Sequence, residues 1–200
     1  MTILYKMTNE NGQTKNYTQW GQNIEHIVTG QLDKVDLNAF TDPLLAVLLS
    51  PIYCNFKRPQ LWEAEGYIEK ENVLHVECTR LKTICQIELP QVTIEQRIRF
   101  AILCIKEVYL NVEWNNWADK WLSGENRTSA TAWMAAEVTW RPASNIANVV
   151  ASTSYMSNDS IAVAVACIVI SAVNSAKTSA DDEVRKSPFS LISIAHEVVT

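Results

Sequence analysis

The chain has 200 residues, of which 48% are hydrophobic and 20% charged, a composition typical of a soluble globular protein with one or two cores. Its 17 basic and 22 acidic residues give a formal net charge of −5, which argues against sequence-independent binding to nucleic acid. It has only five glycines and six prolines, which argues against a loop-rich scaffold and against a glycine-rich phosphate site.

The first 91 residues combine short alternating apolar segments with turn residues, the pattern of a small mixed module built mainly from strands. A helix is expected to begin at Thr41-Asp-Pro43, because a capping oxygen precedes a proline whose missing N–H costs nothing in the first turn. In chain order, the predicted elements are strands at residues 2–7 and 25–29, a helix through Leu49, and strands at 61–68, 73–79 and 82–89, with turns at 9–12 and 69–72.

After Pro90 the apolar period changes from about two residues to about 3.6, which predicts a helical region over residues 92–200. Thr93 and Gln96 have the spacing of a capping box, and Gly124 occupies the expected C-cap of a later helix. The predicted helical segments are 94–112, 113–122, 130–140, 145–155, 160–176 and a last helix from Ser187-Pro188 to Val199. The fold class is therefore predicted as α+β, with a mixed module at 1–91 and a helical region at 92–200.

The helical region is nearly uncharged between Pro142 and Ala180, where only Asp159 and Lys177 carry charge. Helices of this composition must bury against each other or against another chain, so a homo-oligomer is expected. The apolar run at 161–173 is shorter than the roughly 20 residues that span a bilayer, which predicts a buried helix and no membrane partner. A buried strand over residues 161–170 is the alternative.

The N-terminus lacks the basic start and apolar core of a secretory signal, which favours a cytoplasmic location. The cysteines show no C-x-x-C pair and no histidine at ligand spacing, so neither disulfides nor a metal site is expected. They are Cys54, Cys78, Cys85, Cys104 and Cys167. Phosphate-loop, dinucleotide-binding and nucleophile-elbow motifs are also missing, so no cofactor is expected.

Several segments resemble a group of uncharacterised hypothetical proteins of bacteria and their phages. The resemblance rests on Asp42-Pro-Leu-Leu-Ala-Val-Leu-Leu49, Leu61-Trp-Glu-Ala-Glu-Gly66, Gln86-Ile-Glu-Leu-Pro90 and the stretches 93–104 and 117–127. It implies a mixed N-terminal module followed by an alanine-rich helical tail, and it implies no particular activity. The chain departs from the group in a tail richer in Ser, Val and Ile, and in lacking a Gly-Trp-Ile-His-like stretch before Asp42.

Candidate catalytic residues lie in the mixed module. Glu63 and Glu65 face the same side of a predicted strand about 7 Å apart, a spacing at which one carboxyl can be raised in pKa while the other stays ionised. An E-x-E pair on a strand, with Tyr5 on the first strand, resembles the ADP-ribosyltransferase arrangement. His75 with Glu77 is a second pair with the composition of a base and its orienting carboxylate. For both pairs the simpler interpretation is a solvated polar strand face.

Five of the seven tryptophans lie between residues 114 and 140. Trp114, Trp117 and Trp121 share one side of a helix, and Trp133 with Trp140 repeats the spacing of seven. Indoles in this arrangement suit core packing or a protein interface, since few basic residues accompany them for stacking on nucleic-acid bases. The sequence thus favours a non-catalytic interaction protein that self-associates through its helical half and, if phage-encoded, acts on a host or defence protein. The alternative is a nucleotide- or NAD-related site in the mixed module.

Overall fold

The computed structural model describes residues 2–14, 17–28, 35–52, 58–178, 183–184 and 189–200. Two compact units divide the chain, Met1–Gln91 and Val92–Thr200, here called the sheet unit and the helical unit. Antiparallel strands lie in the first and helices in the second, so the α+β prediction is confirmed. Cys54, the predicted strand end at Thr29 and Gly30, and the predicted helix start at Ser187-Pro188 lie outside the described residues.

The sheet unit contains one antiparallel sheet in the order β1-β4-β5-β2, with β3 also paired to β5. Backbone hydrogen bonds between Tyr5 and Phe40, which directly follows β3, connect β3 back to β1 and partly close the sheet. The strands are β1 Thr2–Thr8, β2 Glu25–Ile27, β3 Asn38–Ala39, β4 Gln60–Glu71 and β5 Val76–Ile87.

The predicted strands at 73–79 and 82–89 are one strand, β5, and the predicted turn at 69–72 is wrong because β4 continues through Glu71. The chain reverses at Asn72, whose side-chain oxygen accepts the N–H groups of Leu74 and His75. Register shifts in the β4–β5 pairing allow the long strands to bend without ending. In the sequence, polar residues beside such a register shift look like the end of a strand, which is why two strands were predicted in place of β5.

One hydrophobic cluster forms part of the core of this unit. Alternation along the strands supplies most of its side chains, as predicted for β4 and β5, and Trp20 and Leu37 join it from outside the strands. They are Leu4, Trp20, Leu37, Ala39, Ala64, Val76, Cys78 and Leu81. Helix α1, Pro43–Leu49, begins at the predicted cap: the Asp42 carboxylate accepts the Leu45 N–H at 2.9 Å. A short 3-10 helix, Ser50–Ile52, follows it.

In the helical unit, α2 packs against α3, α5, α6 and α7. The capping box of Thr93 and Gln96 is present, and Gly124 ends α3 in the left-handed conformation, both as predicted. The helices are α2 Ile94–Val108, α3 Val112–Ser123, α4 Ser129–Ala135, α5 Arg141–Ser152, α6 Asn158–Thr178 and α7 Leu191–Glu197, with a 3-10 helix at Thr153–Tyr155.

Three expectations for this unit need correction. The predicted helix at 130–140 stops at Ala135, since a separate helix starts at Arg141 with Pro142 in its first turn. The alternative of a strand over 161–170 is wrong because these residues lie in α6. The predicted helix from Ser187-Pro188 to Val199 is shorter in its described part, because residues 189 and 190 are not helical and α7 starts at Leu191, where the Ser190 hydroxyl caps it.

Helix α6 is long and apolar enough to cross a bilayer, by length and composition alone. The prediction that the apolar run at 161–173 belongs to a helix too short to span a membrane is therefore wrong. It has 21 residues, because polar residues extend the apolar run at both ends. Core helices of soluble proteins meet the same criterion, and α6 packs against α2 and α5 through residues such as Val165, Val169 and Ala172. The uncharged helices therefore bury much of their apolar surface inside one chain.

Candidate functional sites

The sheet brings Tyr5 and Glu63 together. They are direct partners in the antiparallel pairing of β1 with β4, and Cys85 on β5 faces Glu63 from the other side. Glu65 lies two residues along the same face of β4, between Ile3 and Lys82. Glu63 is half-buried and Glu65 exposed. The arrangement is thus a polar row on the outer face of the sheet.

A shallow cleft lies beside Glu65. Its lining residues are Glu25, Glu65, Gly66, Tyr67, Arg80 and Lys82. The Arg80 guanidinium donates to the Glu25 carboxylate at 2.7 Å and lies 5.7 Å from the centre of the Tyr67 ring. The hydrogen bond with Glu25 raises the pKa of Arg80 above its ordinary value. With a volume of about 90 Å³, the cleft is far smaller than the pockets of roughly 300 Å³ or more that hold small-molecule ligands.

His75 directly precedes β5, and most of its side chain is buried. Its Nε2 is 3.9 Å from Glu77 Oε1 and 3.5 Å from Asn72 Nδ2. Desolvation lowers the pKa of His75 below its ordinary value, although the charges of Glu77 and Asp36 oppose this shift. The imidazole is therefore neutral near pH 7, but the Glu77 carboxylate is too distant for a direct hydrogen bond.

Sequence reasoning missed a buried lysine. Lys6 is only 3% exposed because it occupies the core-facing side of β1, two residues after Leu4. Its ammonium group donates to the carbonyls of Asp36 at 2.9 Å and Asn38 at 2.5 Å, and lies 3.1 Å from the Asp36 carboxylate. The Trp20 ring is 5.2 Å away. The alternation of β1 was a usable signal, since it assigns Lys6 and Leu4 to the same face.

Four of the five clustered tryptophans are buried. The Trp114 indole N–H donates to the Ala143 carbonyl at 3.1 Å, which ties α3 to α5. Trp117 lies next to Trp114, with ring centres 5.6 Å apart. Tyr109 stacks on Trp140 at 5.1 Å and meets Trp114 edge-on at 5.9 Å. These rings form an aromatic core in the helical unit.

Trp121 is buried at the end of α3 beneath an arginine. The Arg127 guanidinium lies 4.7 Å from the centre of the Trp121 ring, and its Nε donates to the Trp121 carbonyl at 2.9 Å. A second guanidinium nitrogen pairs with Glu95 at 2.9 Å. Arg127 is therefore held in one position at the chain segment that leads into α4.

Trp133 does not join the aromatic core. It is 52% exposed on α4, and the adjacent Met134 is 71% exposed. The spacing of seven between Trp133 and Trp140 does not put them on one helix face, because α4 ends at Ala135 and Trp140 is the N-cap of α5. Trp133 and Met134 thus form an exposed apolar site on a helix whose Ala132 and Ala135 are buried.

Within the described part of the chain, no group of three His, Cys, Asp or Glu side chains is placed to hold a metal ion. Burial raises the pKa of Cys78 to about 11 and that of Cys104 well above its ordinary value. These two thiols are therefore protonated at neutral pH, and Cys167 is the exposed one among the described cysteines.

Known proteins give no guide to these sites. Comparison of the chain with protein-family models, with curated proteins and with solved structures found no match. The functional proposal therefore rests on the residues and their geometry.

Proposed function

We propose that this chain is a non-catalytic, cytoplasmic protein-interaction protein that self-associates through its helical half, with α4 as the contact surface. The observation that carries the proposal is the exposure of Trp133 and Met134 side by side on one helix. Tryptophan and methionine are enriched at protein interfaces, and a half-exposed indole supplies a large apolar area with little side-chain entropy to lose.

The position of the titratable groups also supports a non-catalytic role. Lys6 is committed to Asp36 and two backbone carbonyls, and the nearest oxygen of Glu77 is 3.9 Å from His75. Glu65 lines a cleft with room for only a few water molecules. These groups have the contacts expected of structural residues.

The contact surface differs from the one that composition favours. The uncharged helices α5 and α6 pack against each other and against α2. The outer side of α6 presents small or polar residues such as Ser160, Cys167 and Ser171. Two large exposed apolar side chains that are adjacent in sequence, Trp133 and Met134, lie instead on the neighbouring α4, so self-association is assigned to that helix.

Sedimentation velocity over a concentration series tests the proposal. We expect the weight-average mass to rise with concentration in the wild type and to rise less in Trp133→Ser. Tyr155→Ser is the matched control, because Tyr155 is an aromatic residue of the same unit that is 89% exposed. A wild type that stays monomeric at every concentration, or equal effects of the two substitutions, would contradict the proposal.

The resemblance to bacterial and phage proteins extends the proposal to a phage-encoded protein that uses the same surface on a host or defence protein. A photo-crosslinking amino acid at position 133, compared with one at position 155, tests this extension in host cells. Adducts with one host protein from position 133 alone are expected. Adducts only between copies of the chain would restrict the function to self-association.

The alternative function is a nucleotide- or NAD-related site in the sheet unit, supported by the direct pairing of Tyr5 with Glu63. A ligand at 100 times its dissociation constant would stabilise the folded protein by about 2.7 kcal/mol. Thermal shift with NAD, ADP-ribose and cyclic nucleotides, repeated on Glu63→Gln, measures this effect. The alternative is rejected if none of these ligands raises the melting temperature.

A further inference from the structure

The turn between β4 and β5 is held by the side chain of Asn72. Its Oδ1 accepts the N–H groups of Leu74 at 2.9 Å and of His75 at 3.1 Å, and the Asn72 N–H donates to the His75 carbonyl at 3.1 Å. Because an asparagine side chain can accept hydrogen bonds only through its oxygen, these bonds fix the orientation of the amide. The other amide atom, Nδ2, is therefore the one that faces the His75 ring.

The His75 imidazole thus meets a fixed hydrogen-bond donor. Its Nε2 lies 3.5 Å from Asn72 Nδ2, which can only donate, so Nε2 is the acceptor and the neutral ring carries its proton on Nδ1. A proton on Nε2 would bring two donors together. The amide cannot rotate to offer its oxygen without losing two backbone hydrogen bonds. Asn72 therefore opposes protonation of His75 at Nε2.

A better partner for the protonated ring lies close by. Glu77 Oε1 is 3.9 Å from His75 Nε2 and 3.7 Å from the Lys70 ammonium group. The Glu77 side chain is 42% exposed and has room to rotate, and Lys70 is exposed enough that weakening its ion pair costs little. A small rotation of Glu77 therefore brings a carboxylate within hydrogen-bond distance of a protonated Nε2, a charge-assisted contact.

We propose that the turn at residues 72–75 is a pH-sensitive switch in which His75 exchanges Asn72 for Glu77 as its partner when it takes up a proton. In the neutral state, Nε2 accepts a hydrogen bond from Asn72. In the protonated state, Nε2–H donates to Glu77 and the Asn72 amide loses its acceptor. The switch involves the sheet unit alone and does not depend on the proposed self-association.

The surroundings of His75 set the pH range of the switch. Among the described residues, charges act on it from four parts of the sheet unit: Glu77 on β5, Asp36 before β3, Lys6 on β1 and Lys70 on β4. The two carboxylates favour the protonated ring and the two ammonium groups oppose it. Burial is the largest influence and also opposes it, so the pKa of His75 lies below 6.5. The exchange of partners is therefore expected below pH 6.5.

A pH titration of the full chain by NMR tests the switch. Long-range ¹H–¹⁵N correlation spectra show which imidazole nitrogen carries the proton, and His75→Gln identifies the His75 signals. We expect the neutral ring to carry its proton on Nδ1, and the Asn72 side-chain amide signals to shift with the same midpoint as the ring. A neutral ring protonated on Nε2, or Asn72 signals that do not follow the titration of His75, would overturn the proposal.

Asn72→Asp separates the exchange of partners from simple burial of the ring. The new carboxylate can still accept both backbone N–H groups, but it presents an acceptor to His75 Nε2 in place of a donor. The neutral ring should therefore carry its proton on Nε2 in this variant, and the midpoint of the His75 titration should rise above that of the wild type. A folded variant that keeps the proton on Nδ1 would overturn the role of Asn72.

Glu77→Gln tests the second partner at a partly exposed position. Loss of the carboxylate should lower the midpoint of the His75 titration by about 0.5 pH unit. Glu71→Gln is the matched control, because Glu71 is an exposed glutamate at the end of β4 beside the same turn, and it should shift the midpoint less. Equal shifts in the two variants would overturn the exchange, and this comparison decides it even where Asn72→Asp does not fold.

Discussion

Replacing Lys6 with methionine tests whether the buried ammonium group holds the segment before β3 against the sheet. The substitution keeps most of the side-chain volume but removes the hydrogen bonds to the carbonyls of Asp36 and Asn38 and the ion pair with the Asp36 carboxylate. Breaking a buried pair by removing one partner typically costs 3–5 kcal/mol. The Asp36 side chain is 17% exposed and can regain some water, so the lower end of this range, about 3 kcal/mol, is expected.

Lys70→Met is the matched control. Lys70 is on the same sheet, but it is 68% exposed and 3.7 Å from Glu77, so its loss should cost less than about 0.5 kcal/mol. Hydrogen exchange of the β1 and β4 amides in increasing urea measures the free energy of opening of the sheet unit separately from the helical unit. The reasoning is refuted if Lys6→Met and Lys70→Met lower that free energy equally.

Three further predictions concern the backbone, the thiols and pH. Gly124→Ala should lower the free energy of unfolding, measured in urea, by about 1 kcal/mol, because Gly124 has a φ of +82° and open space around it. Gly12→Ala should lower it clearly more, because the added Cβ would lie 2.5 Å from a backbone oxygen. Equal losses for the two variants would contradict this reasoning. Mass spectrometry after brief alkylation should find Cys167 modified well before Cys78, because Cys78 is buried and its pKa of about 11 leaves little thiolate. The reverse order would contradict the burial of Cys78. Desolvation lowers the pKa of His75 below 6.5 in the folded protein. As the pH falls, the unfolded chain therefore protonates His75 at a higher pH than the folded protein does, so the free energy of unfolding decreases below about pH 6.5. His75→Gln should therefore reduce the loss of unfolding free energy between about pH 7.5 and about pH 5.5, and an unchanged loss would exclude His75 as its source.

Local signals in the sequence predicted several elements correctly, because each depends on neighbouring residues. Asp42 with Pro43 starts α1, and the capping box at Thr93 starts α2. Gly124 ends α3 because only a residue tolerant of positive φ suits that cap. The alternation of β4 assigned its buried and exposed faces. These features require no information from distant parts of the chain.

Errors arose where a contact distant in sequence decides the outcome. The strand β5 continues past polar residues because β4 supplies a hydrogen-bonded partner along its length. The proximity of Tyr5 to Glu63 likewise depends on the register of two strands far apart in sequence. No local pattern specifies that register, since it depends on which faces of the strands are buried together.

The sequence by itself determined the α+β class, the caps and the position of Trp114, Trp117 and Trp121 on one side of α3, because periodicity and capping are local physics. Only the tertiary structure decided that Lys6 is neutralised by Asp36 inside the sheet unit. It also decided that the uncharged helices cover one another, while Trp133 stays exposed on a short helix. Composition determines how much apolar surface must be buried, but the packing of helices distant in sequence determines which residues remain outside.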